Sequence, residues 1–297
     1  MAQTTSVHYH LSEEQIESFH RDGFIAVRGI YSTEEVDTIR EHFMAMQSEA
    51  LDRTSAVAPF YHPLDEAQSN GDVLKQFPRV MHPHRFDELS KRYMLDARVQ
   101  SVLSQLFGEE ALASQSMFYY KPAGAKGQAL HQDNFYLNVR PGTCMAAWLA
   151  VDAADADNGG MFVVPRSANH GVLCPTMADM NQSFTTELVE VPEGLEAVQV
   201  PLAAGDMLFF NGATIHGSTP NSTTDRFRRA FICHYVPESM TAMNGAYYPL
   251  HDFEGNVIER ERVEGQLNTC GAEDWETFNR LRDDWMKSQN RADAGVH

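Results

Sequence analysis

Two imidazoles and a carboxylate stand in this chain at spacings that suit a metal ion. His131 and Asp133 lie two residues apart in Ala129-Leu-His-Gln-Asp-Asn-Phe135, and His216 follows in Ile215-His-Gly-Ser-Thr-Pro220. In an extended segment, side chains two apart point the same way, so His131 and Asp133 can address one ion while Gln132 points elsewhere. Such a set suits Fe(II), Mn(II) and Zn(II) alike, and in non-haem Fe(II) sites it leaves the opposite coordination positions open. Taken alone, His-x-Asp is a weak motif, since most such pairs near turns only satisfy hydrogen bonds. Asp225-Arg-Phe-Arg-Arg-Ala230 adds a second element. A strand starting there brings Arg228 or Arg229 inward beside His216, and a guanidinium fork matches a carboxylate through two parallel hydrogen bonds. An arginine beside an open metal site implies an acidic cosubstrate. Without the ligands, the same pair would read as surface charge on an edge strand.

The elements that must position these residues are legible in outline. Ser12-Glu-Glu-Gln15 and Ser32-Thr-Glu-Glu35 are capping boxes, predicting two helix starts. The first helix ends near Asp22-Gly23, and Phe24-Ile-Ala-Val27 reads as a short strand before the second. After a looser stretch around Pro59, Pro63 and Asn70-Gly71, apolar periodicity from Phe86 to Phe107 predicts two helices divided near Asp96 and closed by Gly108. From Ser114 the pattern changes to short β-rich runs at 116–120, 144–151, 161–164, 187–191, 197–200, 207–210 and 228–236, separated by Gly and Pro turns. Many short strands of this kind predict a sandwich or barrel such as a jelly roll, in which His216 returns to the barrel mouth after the apolar run Asp206–Phe210. Trp275, Phe278, Leu281 and Trp285 form a stripe expected to pack a C-terminal helix on a sheet. The expectation is one domain over residues 1–297. It comprises a helical part at about 10–110, a jelly-roll core at about 113–237 and a helical extension at about 270–290.

Composition limits the function classes. A formal charge of -18 opposes nonspecific binding to nucleic acid or anionic lipid, because the mean field repels phosphates. Cys144, Cys174, Cys233 and Cys270 form no C-x-x-C pair, so the expectation is free, mostly buried thiols in a reducing compartment. The first residues lack a basic segment followed by an apolar run, and no stretch reaches membrane-spanning length. The chain therefore reads as soluble and cytoplasmic, with a small-molecule substrate and no nucleic-acid or membrane partner; the pattern sets no oligomeric state.

Several of these residues, taken as a set, resemble the phytanoyl-CoA dioxygenase family of Fe(II)- and 2-oxoglutarate-dependent oxygenases. The resemblance runs from about Leu11 to Pro237. It is carried by Arg21-Asp-Gly-Phe24, Leu130-His-Gln-Asp133, Trp148, Asn158-Gly-Gly160, Val164-Pro165, Gly205-Asp206, His216-Gly-Ser218 and Arg228-Arg-Ala230. It implies a double-stranded β-helix, mainly β with flanking helices, and iron, 2-oxoglutarate and O2 as the reaction partners. By position, His131, Asp133 and His216 match the family's iron ligands. Arg228 matches the arginine for the distal carboxylate of 2-oxoglutarate, Ser218 the accompanying hydroxyl, and Gln132, Met117 and Trp148 the lining of the cosubstrate pocket. Arg79 stands near a position where relatives place a basic residue. Two departures stand out: the His216–Arg228 spacing is one residue longer than the family pattern, which keeps Arg229 open for the same role, and the family's Pro-Gly-Ser-His turn reads Pro165-Arg-Ser-Ala-Asn-His170, leaving His170 structural.

The implied activity is hydroxylation of a C–H bond with release of succinate and CO2. Retention of Asp133 favours it over halogenation, because related halogenases replace that carboxylate. The alternative is a metal-binding, cupin-like jelly roll without oxygenase activity. For the substrate pocket the expectation falls on His82, His84, Asn134, Phe135 and Tyr136, and on a small neutral or cationic metabolite or natural-product intermediate rather than a CoA thioester.

Overall fold

The computed structural model describes residues 9–50, 74, 79–271, 276–277, 279–284 and 287. Its first helices start where the capping boxes stand. Helix α1 (Glu13–Asp22) is capped reciprocally by Ser12 and Gln15 and stops at Gly23, whose φ of +85° suits glycine. Strand β1 (Phe24–Val27) leads to α2 (Thr33–Ala50), where Ser32 and Glu35 exchange the equivalent bonds. Strand β2 (Arg79–Met81) precedes α3 (Glu88–Met94) and α4 (Ala97–Phe107), capped by Asp87 and Asp96. The division at Asp96 and the stop at Gly108 fall where the sequence puts them.

The β-core follows: β3 (Ala111–Tyr119), β4 (Gln128–His131), the short helix α5 (Asp133–Leu137), β5 (Met145–Ala150) and β6 (Met161–Val163). The short strands β7 (Thr176–Met177), β8 (Glu187–Leu188) and β9 (Val198–Val200) lead to β10 (Met207–Asn211), β11 (His216–Ser218) and β12 (Ala230–Pro237). Strands β13 (Ala242–Asn244), β14 (Leu250–His251), β15 (Val257–Ile258) and β16 (Glu261–Val263) extend past the expected core. The large sheet runs β1-β10-β5-β12-β3-β14-β15 with β2 on β3, and the smaller runs β4-β11-β6-β9. Both are antiparallel throughout, as a jelly roll requires.

Strand periodicity divides the apolar residues between two cores. Ala146, Trp148 and Ala150 of β5, Leu208 and Phe210 of β10, and Ala230 and Ile232 of β12 face Met161, Val163 and Val200 of the smaller sheet. Their neighbours Ala147, Leu149, Met207, Phe209, Phe231, Cys233 and Tyr235 face the other way, against Phe43, Ile39 and Leu103 of the helices. The large sheet is thus buried on both faces. The parity of β12 places residues 230, 232 and 234 toward the barrel interior.

The expectation of four free thiols fails. Cys174 and Cys270 are joined in a disulfide across 96 residues, while only Cys144 and Cys233 are free and buried. The pairing leaves no local spacing signal, because it depends on residues 264–271 folding back onto α5: Leu267 N–H donates to Phe135 O at 2.8 Å and Thr269 Oγ1 to Leu173 O at 3.1 Å. Of the C-terminal stripe, Trp275, Phe278 and Trp285 lie outside the described residues, and Leu281 is exposed. The Pro59, Pro63 and Asn70-Gly71 stretch also lies outside them. No helix among the described residues is long and apolar enough to cross a membrane.

Candidate active site

Strand pairing brings the two histidines together. His131 ends β4 and His216 begins β11, directly opposite each other in the antiparallel register, with ring centroids 4.2 Å apart. Asp133 arrives differently from the expectation of one extended strand: Gln132 is extended (φ -129°, ψ 125°), but Asp133 is the first residue of α5. Its Oδ1 stands 3.6 Å from Nε2 of both His131 and His216. One donor atom from each of the three lies within 4.8 Å of the others, and all three residues are buried.

Backbone carbonyls fix the tautomers. His131 Nδ1 is 2.8 Å from Ala129 O, and His216 Nδ1 is 2.9 Å from Thr214 O. A carbonyl only accepts, so each Nδ1 carries the proton and each Nε2 turns its lone pair inward. The Gln128 amide, 3.0 Å from His131 Nε2, donates to that lone pair. Burial pulls His216 down to about 4 against the pull of Asp133, keeping the imidazole neutral as a ligand must be. Burial alone would raise the Asp133 carboxyl, but the surrounding imidazoles, with His234 Nε2 2.9 Å from Oδ2, hold it well below the usual range. Two imidazole nitrogens and a carboxylate oxygen converging on one point fit a divalent first-row metal.

The site opens into a cavity of about 300 Å³. Arg228 lines it, 4 % exposed, with Nε donating to Gly159 O at 3.0 Å and its guanidinium 5.2 Å from the Trp148 ring centroid. Arg229 is committed elsewhere: Nε and Nη2 hold both oxygens of Asp152, at 2.8 and 2.9 Å. Ser218, Met117 and Trp148 also line the cavity, as does Arg79, which donates to Tyr119 Oη at 3.1 Å and lies 5.1 Å from the Phe184 ring centroid. Tyr136 lines it too, its ring 6.3 Å from that of His131.

Other expected residues are turned away. Gln132, proposed for the cosubstrate pocket, is fully buried and does not line it; its amide nitrogen donates to Gly171 O and Ala213 O, and its oxygen accepts from Leu173 N–H. It braces the turn between two ligands. Of the proposed substrate residues, Asn134 Oδ1 accepts from Val139 N–H, Phe135 packs edge-on against Tyr136, and His84 Nδ1 lies 2.7 Å from Ser116 Oγ. Neither they nor His82, whose ring packs near those of His84 and Tyr247, reach the cavity wall. The Pro83 loop folds them onto β3 instead.

Sequence reasoning missed His234, which lines the cavity 2 % exposed, with Nε2 2.9 Å from Asp133 Oδ2. Its signal was present: it stands two residues beyond Ile232 on the inward face of β12. The buried Lys121 was missed as well; it donates to Ser218 Oγ at 2.9 Å.

The sequence model of the phytanoyl-CoA dioxygenase (PhyH) family matches residues 19–230, which span His131, Asp133, His216 and Arg228. The chain belongs to the phytanoyl-CoA dioxygenase family. A phytanoyl-CoA dioxygenase domain-containing protein 1 homolog of Dictyostelium discoideum is 23% identical over 258 residues, covering 76% of this chain and 91% of the relative. A methylphosphonate hydroxylase of Gimesia maris is 25% identical over 271 residues, covering 89% and 92%. Among solved structures, the non-haem α-ketoglutarate-dependent carbocyclase SnoK of nogalamycin biosynthesis superposes with a TM-score of 0.62 at 19% identity, over 90% of this chain and 98% of that one. In this family member the matched span ends at Ala230, so His234 lies beyond it.

Proposed function

We propose that this chain is an Fe(II)- and 2-oxoglutarate-dependent oxygenase that hydroxylates a C–H bond of a small organic metabolite or natural-product intermediate. One observation carries the reading: a two-histidine, one-carboxylate cluster and a buried arginine without a carboxylate partner among the described residues share one cavity. His131, Asp133 and His216 would hold Fe(II). Arg228 and Ser218 would take the distal carboxylate of 2-oxoglutarate, with Trp148 against the guanidinium to keep water from the pair. When bound, Fe(II) and 2-oxoglutarate supply an oxidant from O2, the keto acid leaving as succinate and CO2. Keeping Asp133 as a carboxylate supports hydroxylation rather than halogenation.

Cavity size supports a small substrate. About 300 Å³, shared with 2-oxoglutarate, stands at the lower end of ligand-pocket volumes and does not enclose a whole CoA thioester. Tyr136 and Arg79 line the same cavity. A metal-binding jelly roll without oxygenase activity would leave the buried charge of Arg228 without a use. The test is aerobic turnover with Fe(II), 2-oxoglutarate and ascorbate against a panel of small anionic, neutral and cationic compounds. Succinate matched one to one by a product 16 mass units heavier supports hydroxylation. A coupled product of unchanged mass or two units lighter replaces it with epimerisation or ring closure, and no succinate under any condition overturns the oxygenase reading.

A further inference from the structure

Two buried cations converge on a single carbonyl beside Ser218. Lys121 Nζ donates to Gly159 O at 2.9 Å, and Arg228 Nε donates to the same oxygen at 3.0 Å. Each residue is 4 % exposed. Among the described residues neither has a carboxylate partner; the nearby Asp152 is held by Arg229 and Arg40. Burial disfavours both charges, and Arg228 disfavours Lys121 further. A pair of desolvated, unneutralised cations is costly unless an anion joins them.

Hydrogen bonding around Ser218 says where that anion sits. Lys121 spends its other donors on Thr219 O at 2.6 Å and Ser218 Oγ at 2.9 Å. Gln128 N–H also donates to Ser218 Oγ, at 3.3 Å. A hydroxyl has two lone pairs and one proton, so these contacts fill its acceptor sites and leave only O–H to donate. Ser218 lines the cavity with Arg228, which makes that proton a donor for an incoming carboxylate. The lysine is placed with care: its φ is +35°, and its carbonyl is gripped by Arg228 N–H at 3.0 Å and Asn221 Nδ2 at 3.3 Å. A side chain at Gly159 would collide with it, since an added Cβ would stand 2.6 Å from Lys121 Cε.

We propose that Lys121 is a positioning residue for the cosubstrate's distal carboxylate, turning the Ser218 hydroxyl toward it and supplying a second positive charge beside Arg228. This rests on the 2-oxoglutarate reading above. The test is anaerobic binding of 2-oxoglutarate to Fe(II)-loaded protein by calorimetry, for wild type, Lys121→Met, Ser218→Ala and the double variant, with metal affinity measured separately. Lys121→Met should weaken 2-oxoglutarate about 10-fold or more while metal affinity stays within about twofold. The double variant should lose little more than Lys121→Met alone, because the two residues act through one hydroxyl. If Lys121→Met does not fold, Lys121→Gln carries the same test, keeping an amide donor and removing the charge. A folded variant with wild-type affinity, or losses that multiply in the double variant, overturns the role of Lys121. Wild-type protein that binds no 2-oxoglutarate overturns the cosubstrate reading itself.

Discussion

Asp133 Oδ2 accepts a hydrogen bond from His234 Nε2 at 2.9 Å, which leaves Oδ1 facing His131 and His216. His234 therefore fixes which oxygen the carboxylate presents, and outer partners of this kind sustain metal affinity. His234→Ala should lower Fe(II) affinity by about 10- to 100-fold with little change in fold, and His234→Gln, which retains an N–H donor, should recover part of it. Anaerobic metal titration reads both. Equal affinities for wild type and His234→Ala would show that the contact orients nothing.

The two neighbouring arginines should separate cleanly. Arg228→Ala removes the cavity's buried guanidinium beside Ser218 and should weaken 2-oxoglutarate by about 100-fold or more. Arg229→Ala should leave that affinity alone but destabilise the fold by about 1–3 kcal/mol, because Asp152 loses its bidentate partner in a largely buried place. Calorimetric binding and urea unfolding of both variants would distinguish the roles, and the opposite pattern would exchange them.

Much of this site was legible because alternation along strands is a strict constraint. Ala230 and Ile232 face the inner core while Phe231, Cys233 and Tyr235 face the helices; Arg228 and Arg229, just before β12, were both left open by the sequence, and Arg228 is the one that lines the cavity. The same parity contained His234. What stayed hidden depends on long-range closure: nothing near Cys174 announces Cys270, and nothing in Pro83-His84-Arg85 shows that the loop packs on β3 rather than the cavity. Gln132 was misplaced because family position says which residue matches but not which way the turn between β4 and α5 aims it.

His84 provides a pH test of its structural role. Burial, then the neighbouring His82 and Arg85, lower its pKa to about 2, while in the unfolded chain it takes a proton near 6.5. The unfolded state thus binds more protons over that interval, so stability falls as pH drops below 6.5, by about 2 kcal/mol at pH 5 from this residue. His216, lowered to about 4, contributes in the same direction. His84→Gln should flatten, without abolishing, the acid limb of a melting-temperature profile and leave 2-oxoglutarate affinity unchanged. An unaltered limb would contradict the assignment.

The Cys174–Cys270 link closes a 96-residue separation and holds segment 264–271 on α5. Replacing both cysteines with serine should cost about 2–4 kcal/mol in urea unfolding. Full reduction of the wild type should reproduce the loss. Identical midpoints for oxidised, reduced and substituted protein would show that the link contributes nothing.

The central claim is that His131, Asp133, His216 and Arg228 form one site for a metal and a keto acid. It is tested most directly by adding 2-oxoglutarate to the Fe(II)-loaded protein without oxygen and recording the visible spectrum. A weak charge-transfer band should saturate at one 2-oxoglutarate per chain in wild type, be absent in Asp133→Ala, and appear in Arg228→Ala only at far higher concentration. No band in wild type under saturating metal and 2-oxoglutarate, or a band indifferent to both substitutions, would contradict it.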